Sequence, residues 1–344
     1  MTSSQGRGGP LARFAERADR FFRRLYRMPG DMKAMEAKID RIEATLAIHA
    51  RETRLLLAAL SAPERELWRE TLKATGKGPA TQAFPTGALC RQSDFSQPYF
   101  GYWSERLGES LRYHRKLWEF VFICQALWER GVVVEGRRGL GFGVGVEPLA
   151  AFFASQGCRI LATDLPAEEA VESGWIETNQ HAAGKAALRR PDVCPDDVFD
   201  HNVEFQPCDM NNPPADFVDF DFCWSACALE HLGSIELGLA FIERSLDCLR
   251  PGGWAVHTTE YNLSSDSETV DNEATVLFRR RDIEALLQRV RAKGHNALVV
   301  NYDAGDGPID HFIDLPPYRP EPHLKMALSG FSATSVGILI QRGS

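Results

Sequence analysis

Residues 139–166 read GLGFGVGVEPLAAFFASQGCRILATDLP, and they leave few folds open. Gly139, Gly141, Gly143 and Gly145 alternate with apolar residues, so a buried strand runs into backbone that carries no side chains. A helical stretch follows, with Pro148 in its first turn, where proline is tolerated. Gly157 ends it, as a glycine just past a helix does. A second apolar strand then closes on Asp164. Strand, glycine turn, helix, strand and acid are the parts of a nucleotide-binding βαβ unit. The bare backbone turns sharply and lets a ligand touch main chain. A carboxylate in the place of Asp164 can accept both hydroxyls of a ribose.

The same alternation runs on to the C-terminus. Apolar strands are expected at 137–141, 159–163, 203–207, 218–224, 253–259, 296–302 and 333–341, with helices or loops between them. That pattern predicts a doubly wound, Rossmann-like α/β sheet of seven strands. The domain plan is an N-terminal helical extension over 1–74, a linker and helical cap over 75–130, and the sheet domain over 131–344. Insertions interrupt the last at 261–280 and 303–330. Residues 75–100, rich in Gly, Pro, Thr, Ser and Gln, read as a linker or extended arm.

The N-terminal extension has two parts. Residues 11–27 place Leu11, Phe14, Ala18, Phe21, Phe22 and Leu25 at helical spacing, with arginines on the other face. Such a basic amphipathic helix either caps the main domain, docks on a partner or lies on anionic lipid. From Met32 a second helical run puts Met32, Met35, Ile39, Ile42, Leu46, Leu56 and Leu60 on one seam, with His49 and Thr53 as polar interruptions. Four heptads of that kind predict a short coiled coil and a homo-oligomer, with a long helix packed on its own domain as the plainer alternative.

A net charge of -8 argues against a nucleic-acid binder that relies on a basic face. The eight cysteines form no C-x-x-C and no zinc spacing with histidine, which predicts buried free thiols in a reducing compartment. No apolar run approaches membrane-spanning length and no signal-peptide core is visible, so the expectation is a cytoplasmic protein, peripheral at the inner face of a membrane if the basic helix binds there.

A dinucleotide turn wants G-x-G-x-x-G, whereas here the spacing is G-x-G-x-G, with Val146 in the third glycine's place. Three later motifs follow in order: PCDM at 207–210, SACALEHL at 225–232 and CLRPGGWAVHTTE at 248–260. In this order and spacing the set resembles the class I S-adenosylmethionine-dependent methyltransferases, over residues 136 to about 260 and, in strand order only, over 280–342. The resemblance implies a last strand antiparallel to the others and S-adenosyl-L-methionine as cofactor. It would set Gly141, Gly143 and Gly145 against the methionine part. Asp164, with Leu165 beside it, would bind the ribose. Asp209 would take the adenine amino group, and Met210 would lie beside the ring. The family's turn usually opens on an acid, and Gly139 stands there instead. Glu147 is the candidate replacement for supporting the cofactor's ammonium group, or else a first-turn acid answering the helix dipole. Arg115 or Tyr113, in RYHRK at 112–116, could meet the cofactor's carboxylate or belong to a solvated helix face.

The two insertions are polar and acidic, and long loops in compact domains are often binding loops. They also look like those of methyltransferases found with bacterial surface-glycan assembly enzymes, in TTEYNLSS and HLKMALSGFSATSVGILI. That weaker resemblance points to methylation of a sugar hydroxyl in a nucleotide-sugar, lipid-linked sugar or glycan. His231 is the first candidate for general base and Glu260 the second, with Asp271 and His311 behind them; a packing or capping histidine is the plainer alternative. Near CALEHL the chain is similar to the ubiquinone-pathway O-methyltransferases, which carry Glu-x-x-Glu-His as metal ligands. Glu230 and His231 match, but Cys227 takes the first acid's place. Magnesium prefers oxygen, so no metal is expected. Competing readings are a methyltransferase of an amine or phenolic small molecule, a non-catalytic scaffold of the same fold, and a nicotinamide oxidoreductase.

Overall fold

A computed structural model describes residues 32–49, 51–53, 55–57, 79, 82–166 and 181–344. The chain divides into two compact units, Met1–Leu56 and Leu57–Ser344. In the first, residues 32–49, 51–53 and 55–56 are helical. The expected seam residues Met32, Met35, Ile39, Ile42, Leu46 and Leu56 all lie on its surface, 48–65% exposed. The basic stretch 11–27 and Leu60 fall outside the described residues.

The second unit is the sheet with its helices. In chain order its strands are β1 (Gly87–Leu89), β2 (Arg138–Gly141), β3 (Arg159–Asp164), β4 (Val203–Pro207), β5 (Phe220–Ala226), β6 (Leu249–Asn262), β7 (Asn296–Ala297), β8 (Val300–Asn301), β9 (Ile313–Asp314), β10 (Lys325–Leu328) and β11 (Phe331–Gln341). Its helices are α1 (Pro98–Arg106), α2 (Arg115–Glu129), α3 (Leu149–Ser155), α4 (Asp196–Asn202), α5 (Ile235–Asp247) and α6 (Arg280–Ala292).

The main path through the sheet is β4-β3-β2-β5-β6-β11-β1-β8. Neighbours from β4 to β6 are parallel, and β11 runs antiparallel against β6 over nine residue pairs from Ala333–Asn262 to Gln341–Trp254. The chain therefore forms the doubly wound α/β sheet that the alternation predicts, with the reversed last strand. Two details differ. The strand expected at 296–302 is broken into β7, which pairs with β11, and β8. Between β8 and β11 lies β1, from the stretch expected to be a linker. Three residues, Gly-Ala-Leu, are too few to show a two-residue period. The Gly87 N–H donates to the Val299 carbonyl and the Cys90 N–H to that of Ser335, both at 2.9 Å. With β9 and β10 from the 303–330 insertion, the sheet has eleven strands among the described residues, not seven.

Alternation along the strands builds two cores. Phe222, Trp224 and Ala226 of β5 face one side, where Trp118 and Phe122 of α2, Phe152 and Phe153 of α3, and Phe199 of α4 pack. Cys223 faces the other, with Phe241 and Ile242 of α5 and Leu286 and Leu287 of α6. Helix α2 starts where the His114 Nδ1 accepts the Lys116 N–H at 3.1 Å. Its first residues thereby come to rest over the carboxyl end of β5, where the Lys116 ammonium donates to the Ala226 carbonyl at 2.8 Å.

Candidate functional site

The parallel strands β2 to β5 all end on one edge, and a cavity of about 900 Å³ opens there. Its floor is the glycine turn after β2. Four bonds fix that turn: Phe142 N–H to the Trp224 carbonyl at 2.9 Å, Val144 N–H to the Thr163 carbonyl at 3.1 Å, Thr163 Oγ1 to the Gly141 carbonyl at 2.8 Å, and Gly145 N–H to Asp164 Oδ2 at 3.0 Å. Gly143 and Gly145 have φ of +56° and +50°, where a side chain costs strain. A Cβ on Gly143 would also stand 2.7 Å from the Ala228 Cβ and 3.1 Å from the Met210 sulfur. Both glycines line the cavity. Gly141 does not: the space its missing side chain leaves is filled by the Trp224 ring, 2.5 Å from where a Cβ would be.

Asp164 is nearly buried at the cavity wall. Its Oδ2 accepts from Gly145 and Ala182, its Oδ1 from Leu165, at 2.8–3.0 Å. Burial raises its pKa, and those backbone donors pull it back. A carboxylate has about four lone-pair sites, so three N–H donors leave room for a further hydroxyl. Leu165 lines the cavity, and its carbonyl lies 2.7 Å from His181 Nε2. Sequence reasoning missed His181 because its contact with Leu165 joins residues sixteen apart, and no local pattern marks that pairing.

Asp209 and Met210 follow β4 across the cavity. Asp209 Oδ1 accepts the Asn211 N–H at 2.8 Å, and Met210 is buried beside Gly143. Glu147 lies before α3 rather than in its first turn, and its Oε1 accepts from Trp224 Nε1 at 2.7 Å. Burial lifts its pKa to about 8 against the opposing indole hydrogen bond.

Arg115 also reaches the cavity, but its guanidinium is engaged by Glu119 Oε1 at 3.0 Å and Glu260 Oε1 at 2.5 Å. Tyr113 is buried against Phe95, outside the lining. The cation presented to the cavity beside Arg115 is Lys116, paired with Glu119 at 3.1 Å. Burial opposes its charge, but Glu119 together with Cys227 and Glu230 outweighs burial and keeps the ammonium protonated. The RYHRK string holds both residues, and only the helix start decides which one points inward.

The candidate bases divide. His231 lies in the short turn Leu229–His231, ahead of α5, rather than opening that helix. It lines the cavity, and its Nδ1 sits 2.9 Å from the Ala274 carbonyl. A carbonyl only accepts, so the neutral ring carries its proton on Nδ1 and its lone pair on Nε2. Glu260 is buried at 3% exposure behind Arg115, outside the lining. Burial raises its pKa, with Arg115 opposing and Glu230 and Glu119 reinforcing. Asp271 accepts the Ile235 N–H at 2.8 Å at the start of α5. His311 is exposed and outside the lining. Among the described residues the 303–330 insertion contributes nothing to the lining, and the 261–280 insertion contributes Ala274.

No protein-family model and no curated protein matches the chain. Among solved structures it is similar to the [4+2]-cyclase SpnF, with 16% identity over 64% of this chain and 80% of that chain and a TM-score of 0.41. It is also similar to an S-adenosylmethionine-dependent methyltransferase from Mesorhizobium loti, with 16% identity over 63% and 96% and a TM-score of 0.39. A third is the Burkholderia thailandensis 1,6-didemethyltoxoflavin-N1-methyltransferase, with 17% identity over 63% and 75% and a TM-score of 0.34.

Proposed function

We propose that this chain is an S-adenosylmethionine-dependent O-methyltransferase whose acceptor is a sugar hydroxyl of a glycan or of a nucleotide- or lipid-linked sugar. The observation that carries the cofactor assignment is the junction of the glycine turn with Asp164. Two positive-φ glycines and an acid at the end of β3 share one wall of a cavity wide enough for a nucleoside with a side chain. In this assignment Gly143 and Gly145 pass along the methionine part, Asp164 and Leu165 hold the ribose, and Asp209 and Met210 take the adenine. Lys116 stands where it can pair with the amino-acid carboxylate, and Glu147 near the ammonium group.

The acceptor hydroxyl lies in line with the sulfonium methyl. His231 Nε2 takes its proton as the oxygen attacks. One carbon–oxygen bond forms, the carbon–sulfur bond breaks, and its electron pair stays on sulfur. The products are the methyl ether, S-adenosylhomocysteine and a protonated imidazole, which returns its proton to water. The polar cavity wall at Asn211, His114 and His231 suits a hydroxylated acceptor better than an apolar one.

The exposed seam over Met32–Leu56 supports a homo-oligomer formed through these helices. Two measurements test the function. Calorimetry should show binding of S-adenosylhomocysteine and none of NAD; equal affinity for both would overturn the cofactor assignment. Mass spectrometry of surface glycan from cells with and without the gene should show one lost methyl group; an unchanged glycan would overturn the acceptor.

A further inference from the structure

Beneath the cavity wall lies a cluster of charged side chains that methyl transfer as drawn above leaves unused. Cys227 Sγ and one carboxylate oxygen each from Glu230 and Glu260 lie within 4.8 Å of one another. Glu230 and Glu260 are 0% and 3% exposed. Each uses one oxygen for a supporting bond: Glu230 Oε2 accepts from Thr259 Oγ1 at 2.9 Å, and Glu260 Oε1 pairs with Arg115 at 2.5 Å. The other oxygen of each, Glu230 Oε1 and Glu260 Oε2, is buried with no hydrogen-bond donor, the nearest ion-pair partner of Glu230 Oε1 being His231 Nε2 at 3.9 Å. Leaving a buried charged oxygen without a partner is costly. One oxygen braced by a neighbour and the other left open is how ligating carboxylates are held by their surroundings.

Cys227 adds a backbone observation. Its φ is +50°, a strained region for a residue with a side chain. That geometry brings its thiol to the two carboxylates. The charge balance points the same way. Arg115 and Lys116 supply two positive charges, and Glu119, Glu230 and Glu260 three negative ones. Burial and the neighbouring carboxylates hold the Cys227 thiol protonated, so a thiolate forms there only as a cation displaces the proton. The two negative charges then left over are what one divalent cation neutralises.

We propose that Cys227, Glu230 and Glu260 bind a divalent cation of the zinc type at the cavity wall. A thiolate with two carboxylates suits a borderline-soft ion and not magnesium. Around a tetrahedral zinc, ligand atoms stand about 3.4–3.6 Å apart, as its bond lengths require, so atoms that lie within 4.8 Å of one another close by at most about 1.4 Å. Cys227 and His231 line the cavity, so the ion's open position lies within reach of a bound hydroxyl. There it would act as a Lewis acid on the acceptor oxygen while His231 receives the proton. That role rests on the methyl-transfer reading; the binding of the ion does not.

The test is a titration of the full-length protein with Co²⁺ alone, followed by absorption in the near ultraviolet, where thiolate-to-cobalt charge transfer is seen. Cys227 is partly exposed and the other seven cysteines are buried, but Cys208 also lines the cavity, so the response of the band to Cys227→Ser decides its source. We expect a saturable band that Zn²⁺ displaces and that Cys227→Ser abolishes. Glu230→Gln and Glu260→Gln should each weaken metal affinity by at least tenfold. Binding of S-adenosylhomocysteine to each variant serves as the control for folding. No thiolate–cobalt band in wild-type protein, or a band that survives Cys227→Ser, overturns the site. A cobalt band in a protein that binds no S-adenosylhomocysteine keeps the site and overturns the cofactor assignment instead.

Discussion

The Gly145 N–H donates to Asp164 Oδ2 at 3.0 Å, so the last glycine of the turn is tied to the acid that ends the next strand. The two parts of the βαβ signature are therefore one object. The acid holds the turn in place before any ligand arrives, and it accepts the Leu165 and Ala182 N–H groups as well.

Asp164→Ala removes the acceptor for three backbone N–H groups and, in the proposed cofactor site, the ribose contact as well. It should weaken S-adenosylhomocysteine binding by about 1.5–3 kcal/mol, the scale of hydrogen bonds to a charged group. It should also lower the unfolding free energy, since nearly buried donors lose their partner. Calorimetry and urea denaturation read the two effects separately. An alanine variant with native affinity would remove Asp164 from the cofactor site.

Gly143→Ala forces a side chain onto φ of +56° and against Ala228 and Met210. The left-handed backbone alone should cost about 1–2 kcal/mol of stability, and the displaced Met210 should weaken cofactor binding further. Unchanged urea midpoint and affinity would mean that the turn relaxes freely.

His231→Ala should lower turnover by about 10²–10⁴-fold, the usual range for a general base, with affinity for S-adenosylhomocysteine nearly unchanged. His231→Gln keeps the bond to Ala274 but supplies no base, and should be as slow. Near-native turnover in the glutamine variant would leave His231 as a packing residue of its turn.

His257 is fully buried between Ser225 and Ser245, with its ring nitrogens 2.8 and 3.0 Å from their hydroxyl oxygens. Burial lowers its pKa to about 3. Because the folded value lies below the unfolded one of about 6.5, its contribution is complete above that pH. It is lost as pH falls toward 3, at up to about 1.4 kcal/mol per pH unit. Urea denaturation at pH 7.5, 6 and 5 should show a shallower fall for His257→Asn than for the wild type. Parallel curves would contradict a neutral buried ring.

Charged substitutions on the exposed seam, Ile39→Asp together with Ile42→Asp, should reduce the solution mass toward that of one 38.4 kDa chain, with cofactor binding intact. Light scattering decides it: a wild-type protein that is already monomeric removes the proposed assembly.

Much of the fold was legible because strands such as β3 and β5 are apolar runs set off by turn or helical stretches. The strands at 138–141, 159–164 and 203–207 begin within a residue of where the alternation put them. β1 escaped notice because its identity as a strand is conferred by Val300 and Val336, more than two hundred residues away. The site was legible where chemistry depends on main chain, at Gly143, Gly145 and Asp164. It was not legible where side-chain direction matters. Arg115 and Lys116 are adjacent and both reach the cavity, yet α2 ties one to Glu260 and the other to Glu119 and the Ala226 carbonyl. Glu230, Cys227 and Glu260 come from two separate motifs, and only the pairing of β5 with β6 makes them neighbours.

The position of β1 bears on how this chain can be made. A ribosome releases Gly87–Leu89 long before Val336–Gly337, its partners across β11, have been synthesised. Until then that segment, and the β6 edge that β11 will cover, have no strand to pair with. Pairings so distant in sequence form slowly, and their unfilled edges invite aggregation in the meantime. The last strand is the fastener of the whole sheet, in contact with β1, β6, β7 and β10. A nascent chain stopped before Phe331 would therefore hold every lining residue of the cavity and still lack the means to close the sheet.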